Sequence, residues 1–337
     1  MRFRATVETI RTFSSTRNKV VILSHRGRPA GREAAQSLQP LRAPLSAAIG
    51  KEVGFLPTPD LALAKKLIEQ ARPGSVFLFE NLRFFSEETS ASLPFGRKLA
   101  ALGTHYVNDD FGTCHRKNAS ITRIPRFIPS ELGPTIKREI SVLKKASTKP
   151  DKPFVLIIGG AKMSDKVAVI EHLLPIADHI LLGGGAANTF MKAAGMDIGS
   201  SIHEPALLAK AKRLLAKHNS IILPIDEKKE GDRIYDIGPA TIRHYSEILK
   251  SARTVVWAGP MGFFEKEGFA EGSHAIARAL ASSPAFTIAG GGETGRVITD
   301  MKLEEKFGFV STGGGAMLEL LAGKELPGIA AIKAKNT

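Results

Sequence analysis

The sequence predicts an α/β fold made of two doubly wound domains with mostly parallel sheets, joined by an interdomain helix. Short apolar runs alternate with amphipathic helical segments through both halves of the 337-residue chain, which is typical of parallel sheets with helical crossovers. Between the two series lies IKREISVLKKASTKP, a charged helical segment that has no strand partner. These observations predict a first domain at 1–133, a linker helix at 134–149, a second domain at 150–317 and a C-terminal segment at 318–337.

The first series begins with a helix over residues 1–13, in which Phe3, Val7, Ile10 and Phe13 recur at helical spacing. Further helices are predicted where apolar residues recur every three or four positions, and strands where short apolar runs occur. In chain order these are a strand from 19, a helix over 40–50, a strand at 53–56, a helix over 61–71, a strand from 75, a helix over 95–103 and a strand from 104.

The composition is that of an ordinary globular protein, with 43% apolar and 24% charged residues. No apolar run approaches the roughly 18–20 residues that cross a bilayer, and the N-terminus lacks the apolar region of a signal peptide. The single cysteine, Cys114, cannot form an intramolecular disulfide and fits a reducing compartment. We therefore expect a soluble, cytoplasmic protein without a membrane partner.

The net charge of +14 raises the question of nucleic-acid binding. The basic residues are spread along the whole chain, and only three Tyr and one Trp are available for base stacking. We expect no specific nucleic-acid partner and attribute the basic excess to solvated faces and to a site for anionic substrates.

Four glycine clusters in the second half each follow an apolar run. They are GGAKMSDK (159–166), GGGAAN (183–188), GGGETG (290–295) and STGGGA (311–316). Backbone N–H groups at such turns, with helix N-termini behind them, bind phosphate. The clusters therefore predict a nucleotide pocket at the carboxyl ends of a parallel sheet.

Two other segments of the second half are predicted to lack regular structure. The compact charge run DEKKEGDR (226–233) is typical of a loop, and the chain after Pro327 is expected to end without a helix. Trp257 lies in an apolar run, which favours core packing over stacking on an adenine.

Cations follow each of three predicted strands of the first half. They are His25, Arg26 and Arg28 after the first, Arg83 after the second, and His115 and Arg116 after the third. Strand exits of a parallel sheet lie on one edge, and guanidinium groups match phosphate and carboxylate oxygens. A small polyanionic substrate is one interpretation; pairing of single arginines with Glu80, Glu87, Asp109 or Asp110 is the other.

The residues resemble the phosphoglycerate kinase family over nearly the whole chain. The blocks that carry the resemblance, in the family's order, are SHRGRP (24–29), ENLRF (80–84), VNDDFGTCHR (107–116), GGAKMSDK, GGGAANTFMKAAGMDIGSS (183–201), DIGP (236–239), TVVWAGPMGFFE (254–265), GGGETG and STGGGAMLELLAGKELPGI (311–329).

The resemblance implies reversible phosphoryl transfer between ATP and 3-phosphoglycerate, giving ADP and 1,3-bisphosphoglycerate. It also implies Mg²⁺ as the metal of the bound nucleotide, a monomer, and a C-terminal segment that packs on the first domain. Because the acceptor is a carboxylate that is already ionised, no general base is needed. Substrate and nucleotide would occupy different domains, so the linker helix is expected to act as a hinge during closure.

Family roles carry over to specific positions of this sequence. The residues implied in catalysis are Lys162, Lys166 and Arg2. The implied 3-phosphoglycerate ligands are His25, Arg28, Arg83 and Arg116. The implied nucleotide ligands are Gly160, Lys166, Gly184, Glu265, Gly292, Glu293, Thr294, Gly313 and Gly314, and Glu293 would also bind the metal together with the nucleotide phosphates.

The sequence departs from the family pattern in several places. The family's opening strand, with its Arg-x-Asp-x-Asn segment, has no counterpart before the first helix; we expect a start site assigned too far downstream, with a truncated form as the alternative. Single-residue departures are Asp110 for a small residue, Asn118 for a His, Ala258 for an Asn and Glu293 for an Asp. Asp110 adds a negative charge near an anion site and should weaken binding there unless Arg116 or Lys117 compensates.

Two other functions remain open at this point. A nucleotide-binding protein without turnover is favoured by the missing strand and by the apolar Ala258 at a position where the family has a polar side chain. A dinucleotide-dependent dehydrogenase is suggested only by the glycine-rich turns, and no G-x-G-x-x-G with an acidic residue at the expected distance follows a first strand.

Overall fold

The computed structural model of the chain describes residues 2–15, 18–57 and 60–334. They form two compact units: the first comprises Met1–Glu139 and Glu325–Thr337, and the second comprises Ile140–Lys324. The helices and parallel sheets of both units confirm the predicted α/β fold class. None of the described helices is long and apolar enough to span a membrane.

The first unit contains two small parallel sheets. Its strands are β1 (Val20–Ile22), β2 (Val53–Leu56), β3 (Val76–Phe79), β4 (Tyr106–Asn108) and β5 (Ser130–Leu132). The first sheet has the order β1-β3-β2, and β4 pairs with β5. All three residues of the edge strand β1 are only half-buried, although they are aliphatic, because β1 pairs on one side only within the described part of the chain.

The helices of the first unit cover these sheets. They are α1 (Arg2–Ser15), α2 (Arg42–Ile49), α3 (Leu61–Gln70), α4 (Ser86–Thr89), α5 (Leu93–Ala100), α6 (Ala119–Thr122), the start of α7 (Pro134–Thr148) and the last helix of the chain, α15 (Pro327–Lys333). Val7 and Ile10 of α1 pack with Leu45 and Ile49 of α2 against β2 and β3. Asp60 caps α3 by accepting hydrogen bonds from the N–H groups of Ala62 and Leu63.

The second unit is built on one six-stranded sheet. The strands of that sheet are β6 (Phe154–Ile158), β7 (His179–Leu182), β8 (Ile221–Ile222), β11 (Thr254–Ala258), β12 (Phe286–Ala289) and β13 (Phe309–Val310), and the unit's two other described strands, β9 (Glu227–Glu230) and β10 (Arg233–Ile237), pair with each other. The sheet order is β13-β12-β11-β6-β7-β8, and every pairing within it is parallel. The central strands β6 and β11 are buried along their whole length, as uninterrupted apolar runs predict.

The remaining helices all belong to the second unit and follow its strands. They are α8 (Val167–Leu173), α9 (Gly184–Ala193), α10 (Leu208–Lys217), α11 (Pro239–Ser251), α12 (Glu271–Ala281), α13 (Glu293–Asp300) and α14 (Gly314–Leu321). Trp257 is fully buried, and its indole N–H donates to the carbonyl of Gly259 at 2.8 Å. The prediction that it packs in the core is confirmed.

Two predictions about local structure were wrong. The charge run at 226–233 is a β-hairpin of β9 and β10, held in part by an ion pair between Lys266 and Glu230 and by the Lys266 ammonium over the Tyr235 ring at 4.1 Å. The strand β9 is mostly exposed and therefore shows no apolar alternation. The chain after Leu326 forms α15, in which Pro327 occupies the first turn, where a missing N–H costs nothing.

Candidate active site

Three of the predicted cations of the first unit line one cavity. Arg28, Arg83 and Arg116 surround a space of about 600 Å³, together with polar residues that include Asn118. Arg28 lies in the loop after β1, Arg83 follows β3, and Arg116 follows β4. His25 is half-buried in the same loop as Arg28 but does not line the cavity.

The electrostatics of this cavity favour an anion. Within the described residues, neither Arg28, Arg83 nor Arg116 forms an ion pair with a carboxylate. Burial lowers the pKa of Arg83, and the charges of Arg116 and Arg28 lower that pKa further, while Glu88 and Asp110 act in the opposite direction. Like charges held together in this way are stabilised by an anion placed between them.

Two of the four carboxylates expected to compete for these arginines, Glu80 and Asp109, have other partners, whereas Glu87 lines the cavity and the charge of Asp110 acts on Arg83. Both oxygens of the buried Glu80 accept hydrogen bonds: Oε1 from the N–H groups of Leu38 and Asn81, and Oε2 from the hydroxyl of Ser37. Asp109 accepts hydrogen bonds from Thr9 and Thr135. Pairing with these two acids therefore does not account for the arginines.

Asn81, which the sequence did not single out, holds two cation-bearing loops together. Its Nδ2 donates to the carbonyls of Arg26 at 2.8 Å and Gln36 at 2.9 Å, and its Oδ1 accepts from the N–H of Arg83 at 3.0 Å. The residue is fully buried. The segment ENLRF contained a signal for this role: an amide side chain stands directly after a buried strand, and a buried amide needs several hydrogen-bond partners.

Asn118, one of the departures from the family pattern, also has a defined place. Its Nδ2 donates to Oε1 of the buried Glu88 at 3.2 Å, and Glu88 accepts two further bonds from Ser120. Asp110 is exposed at the exit of β4. Asn118 therefore lines the arginine cavity, whereas Asp110 does not line it but acts through its charge on Arg83.

The glycine clusters of the second unit meet at the carboxyl edge of its sheet. A Cβ on Gly159 would lie 2.0 Å from the carbonyl oxygen of Pro260, and one on Gly184 would lie 2.9 Å from the carbonyl oxygen of Gly160. Gly160 itself has a φ of +81°, which favours glycine. The turns after β6, β7 and β11 can approach each other this closely because they lack side chains.

Three predicted nucleotide ligands converge at Gly160. A Cβ at this position would lie 3.2 Å from Nζ of Lys166 and 3.7 Å from Oε2 of Glu293. Lys166 is only 8% exposed, and burial lowers the pKa of its ammonium group, while the charges of Asp165, Glu293 and Glu204 raise it. A buried cation beside bare backbone is suited to a phosphate group.

The starts of α13 and α14 complete this edge. Gly292 precedes α13 with a φ of +72°, and the hydroxyl of Thr294 accepts a hydrogen bond from the N–H of Gly259 at 2.7 Å. Gly313 precedes α14, and a Cβ on Gly314 would lie 3.8 Å from the carbonyl of Gly291. Two helix N-termini with glycine turns therefore face the same sheet edge as Lys166.

Three predicted site residues are not part of this convergence. Lys162 is exposed on the turn before Lys166. Glu265 is exposed in the segment between β11 and α12, and the contacts that join Gly160, Lys166 and Glu293 do not include it. Arg2 begins α1, but its side chain lies outside the described residues.

Glu293 is the one predicted metal ligand. Among the described residues, no group of three His, Cys, Asp or Glu side chains could hold a metal ion. A single carboxylate fits Mg²⁺ that is carried by a nucleotide, because protein sites of this kind use one or two carboxylates plus substrate phosphates. The residues present therefore fit a metal–nucleotide complex and do not form a metal site of their own.

The fold and the two candidate sites define a class of protein: a two-unit α/β protein with an arginine-lined cavity on one unit and a glycine-rich sheet edge on the other. A family model described as phosphoglycerate kinase matches residues 1–324. The phosphoglycerate kinase of Thermomicrobium roseum is 39% identical over 98% of this chain and 91% of its own length, and that of Herpetosiphon aurantiacus is 42% identical over 99% and 91%.

Solved structures agree with these relatives. The structure of phosphoglycerate kinase from Coxiella burnetii matches with a TM-score of 0.83 and 34% identity over 98% of this chain and 90% of its own. The enzyme from Pyrococcus horikoshii matches with a TM-score of 0.88 and 31% identity over 99% and 91%. The chain belongs to the phosphoglycerate kinase family, whose members are enzymes that transfer phosphate to a carboxylate. The family predicted from the sequence motifs is thereby confirmed, and the comparisons do not favour either alternative function.

Proposed function

We propose that the chain catalyses reversible phosphoryl transfer between ATP and the carboxylate of 3-phosphoglycerate, giving ADP and 1,3-bisphosphoglycerate, as a glycolytic or gluconeogenic step. The observation that carries the proposal is the arginine cavity, whose three cations have no carboxylate partner among the described residues. A substrate with a phosphate and a carboxylate matches three guanidinium groups in charge and in hydrogen-bonding geometry.

In this proposal Arg28, Arg83 and Arg116 hold the substrate, with His25 contributing from the same loop as Arg28. The ionised carboxylate attacks without a general base, so the protein acts by positioning and by stabilising negative charge. Lys162 and Arg2 would contact the transferring phosphoryl group. The positive charges of these two side chains would attract the transferring phosphoryl group more strongly in the transition state than in the ground state.

The nucleotide would occupy the glycine edge of the second unit. The phosphates of the nucleotide would be held by Lys166 and by the backbone at Gly160, Gly184, Gly292, Gly313 and Gly314. Thr294 would hold the glycine turns in place, and Glu265 would accept hydrogen bonds from the hydroxyl groups of the ribose. Glu293 would hold Mg²⁺ together with the phosphates, and the bound ion would neutralise part of their charge.

The protein would act as a monomer in the cytoplasm, with no specific nucleic-acid partner and no membrane partner. The prediction that the two units approach one another during the reaction stays a prediction. Small-angle X-ray scattering with both ligands, with each alone and with neither would test it: equal radii of gyration in all four samples would contradict closure.

The decisive experiment is steady-state phosphoryl transfer from ATP to 3-phosphoglycerate by the purified chain. We expect turnover that depends on 3-phosphoglycerate and is lowered by at least about 100-fold in Lys162→Ala. The matched control is Lys250→Ala, which removes an exposed lysine of α11 that pairs with Glu247. Binding of ADP without any turnover in the unsubstituted chain would instead select a nucleotide-binding protein.

A further inference from the structure

One carboxylate outside the predicted ligand set contacts the turn that carries both catalytic lysines. Oε2 of Glu204 accepts a hydrogen bond from the backbone N–H of Ser164 at 2.8 Å. Ser164 lies midway between Lys162 and Lys166, in the turn that leads from β6 into α8. The bond therefore joins this turn to a segment forty residues further along the chain.

The segment around Glu204 is itself anchored to α9. The N–H of Glu204 donates to the hydroxyl of Thr189 at 3.1 Å, and that hydroxyl donates to the carbonyl of Gly185 at 3.1 Å. Nδ2 of Asn188 donates to the carbonyl of Ile202 at 3.0 Å. Since Asn188 and Thr189 are buried in α9, Glu204 is held by an element whose first residues belong to the glycine edge.

The charge of Glu204 is suited to this place. Burial acts to raise the pKa of its carboxyl group, but bonds from Ser164 and Met163 and the nearby charge of Lys162 outweigh burial and hold the pKa below its ordinary value. The carboxylate is thus ionised at neutral pH, and hydrogen bonds to a charged acceptor are stronger than those between neutral groups.

Lys166 has supports in addition to the bond between Ser164 and Glu204. Its ammonium donates to the carbonyl of Lys162 at 3.4 Å, and its backbone N–H donates to the carbonyl of Met163 at 2.8 Å. It is also buried, whereas Lys162 is exposed. Loss of the bond to Ser164 should therefore move Lys162 more than Lys166.

We propose that Glu204 is a positioning residue, which fixes the turn at Met163 and Ser164 so that Lys162 is aligned for phosphoryl transfer. This inference rests on the proposed function, because it assigns to Lys162 a contact with the transferring group. A displacement of about 1 Å in such a group can lower a rate about 100-fold without abolishing binding.

The test uses the full chain and three variants. Glu204→Ala removes the acceptor; Glu204→Gln keeps an oxygen that can accept from Ser164 but removes the charge. The matched control is Glu171→Ala, which removes a partly exposed acid of α8 that pairs with Lys210 at 2.7 Å. Hydrogen exchange of the Ser164 amide, kcat, KM for ATP and the Kd of ADP are measured for each.

We expect Glu204→Ala to speed exchange of the Ser164 amide at least about tenfold and to lower kcat roughly 10- to 100-fold. The Kd of ADP should change less than about threefold, and Glu204→Gln and Glu171→Ala should stay within about threefold of the unsubstituted chain in every quantity. A lower kcat with a nearly unchanged Kd of ADP is not expected when a substituted residue only stabilises the fold.

Three results would overturn the inference: an unchanged kcat in Glu204→Ala, an equal loss of kcat and of ADP affinity, or Glu204→Gln as impaired as Glu204→Ala. If the unsubstituted chain transfers no phosphate, the proposed function fails instead. The exchange of the Ser164 amide then still decides whether Glu204 holds this turn, because it needs no turnover.

Discussion

Oδ1 of Asp109 accepts a hydrogen bond from the backbone N–H of Thr135 at 2.8 Å, at the first turn of α7. Oδ2 of the same carboxylate accepts hydrogen bonds from the hydroxyls of Thr135 and Thr9. One side chain at the exit of β4 therefore caps a helix that is remote in sequence and also ties α1 to it. A Cβ on Gly133 would lie 2.2 Å from Oδ1 of Asp109, so this approach requires glycine.

Asp109→Ala should lower the free energy of unfolding of the first unit by about 2 kcal/mol, at the upper end of the range for removal of a helix cap. The N–H groups and hydroxyls now bonded to the carboxylate would lose a partly buried acceptor. Urea unfolding followed by a signal from the first unit measures the change. Asp151→Ala is the control, since Asp151 is an exposed acid that pairs with Lys145, and an equal loss in both variants would contradict the prediction.

Asp110→Ala should tighten binding of 3-phosphoglycerate roughly fivefold, because it removes a negative charge that acts on Arg83. Isothermal titration calorimetry at low salt gives the affinity, and the gain should shrink as salt is raised. Glu52→Ala removes the same charge from an exposed site of the same unit and should leave the affinity nearly unchanged. A weaker affinity in Asp110→Ala would show that Asp110 holds the substrate instead of opposing it.

Gly160→Ala should lower ADP affinity at least about tenfold, because the new Cβ would crowd Nζ of Lys166 at 3.2 Å. The positive φ also costs about 1–2 kcal/mol of stability for a residue other than glycine. Gly195→Ala separates the two effects, since Gly195 has a φ of +86° and no atom within 4 Å of its Cβ position. Both variants should lose stability, and only Gly160→Ala should lose affinity.

Asp236 should make the second unit more stable in mild acid than in mild base. Burial raises the pKa of this carboxyl group to about 7, although the N–H groups of Gly272 and Ile237 donate to it. The folded state therefore keeps a proton that the unfolded state releases at its ordinary pKa of 3.8. The stability contributed by the protonated group is complete below that value and is lost as the pH rises through about 7.

The measurement is the free energy of unfolding at about pH 5 and about pH 8 for the unsubstituted chain and for Asp236→Asn. The decline between the two pH values should be smaller in the variant, which cannot ionise. Asp232→Asn is the control, because hydrogen bonds from Ser200 lower the pKa of Asp232 and keep it ionised throughout this range. An unchanged decline in Asp236→Asn would rule out Asp236 as the source.

The sequence was most informative where one physical signal dominated. Uninterrupted apolar runs such as 154–158 predicted buried parallel strands, and the glycines behind them predicted bare backbone at one sheet edge. Gly160, Lys166 and Glu293 lie close together at that edge, which agrees with the predicted location of these residues. Whether these residues bind a nucleotide is a prediction that the proposed experiments address.

The sequence was least informative where a polar group depends on partners far along the chain. The side chains of Asn81, Glu88 and Glu204 each hold a loop through bonds to segments that are 55, 30 and 40 positions away, respectively. In the sequence, neither the residue type nor the neighbouring residues distinguish these three positions from polar residues that face solvent. The hairpin of β9 and β10 was missed for a related reason: β9 shows no apolar alternation, and the hairpin is held in part by contacts of Lys266 with Glu230 and Tyr235.

The first unit is assembled from the two ends of the described chain. The N–H of Gly328, in α15, donates to the carbonyl of Cys114 at 2.8 Å, and a Cβ on Gly328 would lie 2.7 Å from Ile121. The second unit, by contrast, is one continuous segment, Ile140–Lys324. During synthesis on the ribosome, all of the second unit is therefore made before the first unit acquires its last helix. The unit that is translated first is completed last, and β5 and α6 lack the helix that packs against them until residues beyond 325 emerge.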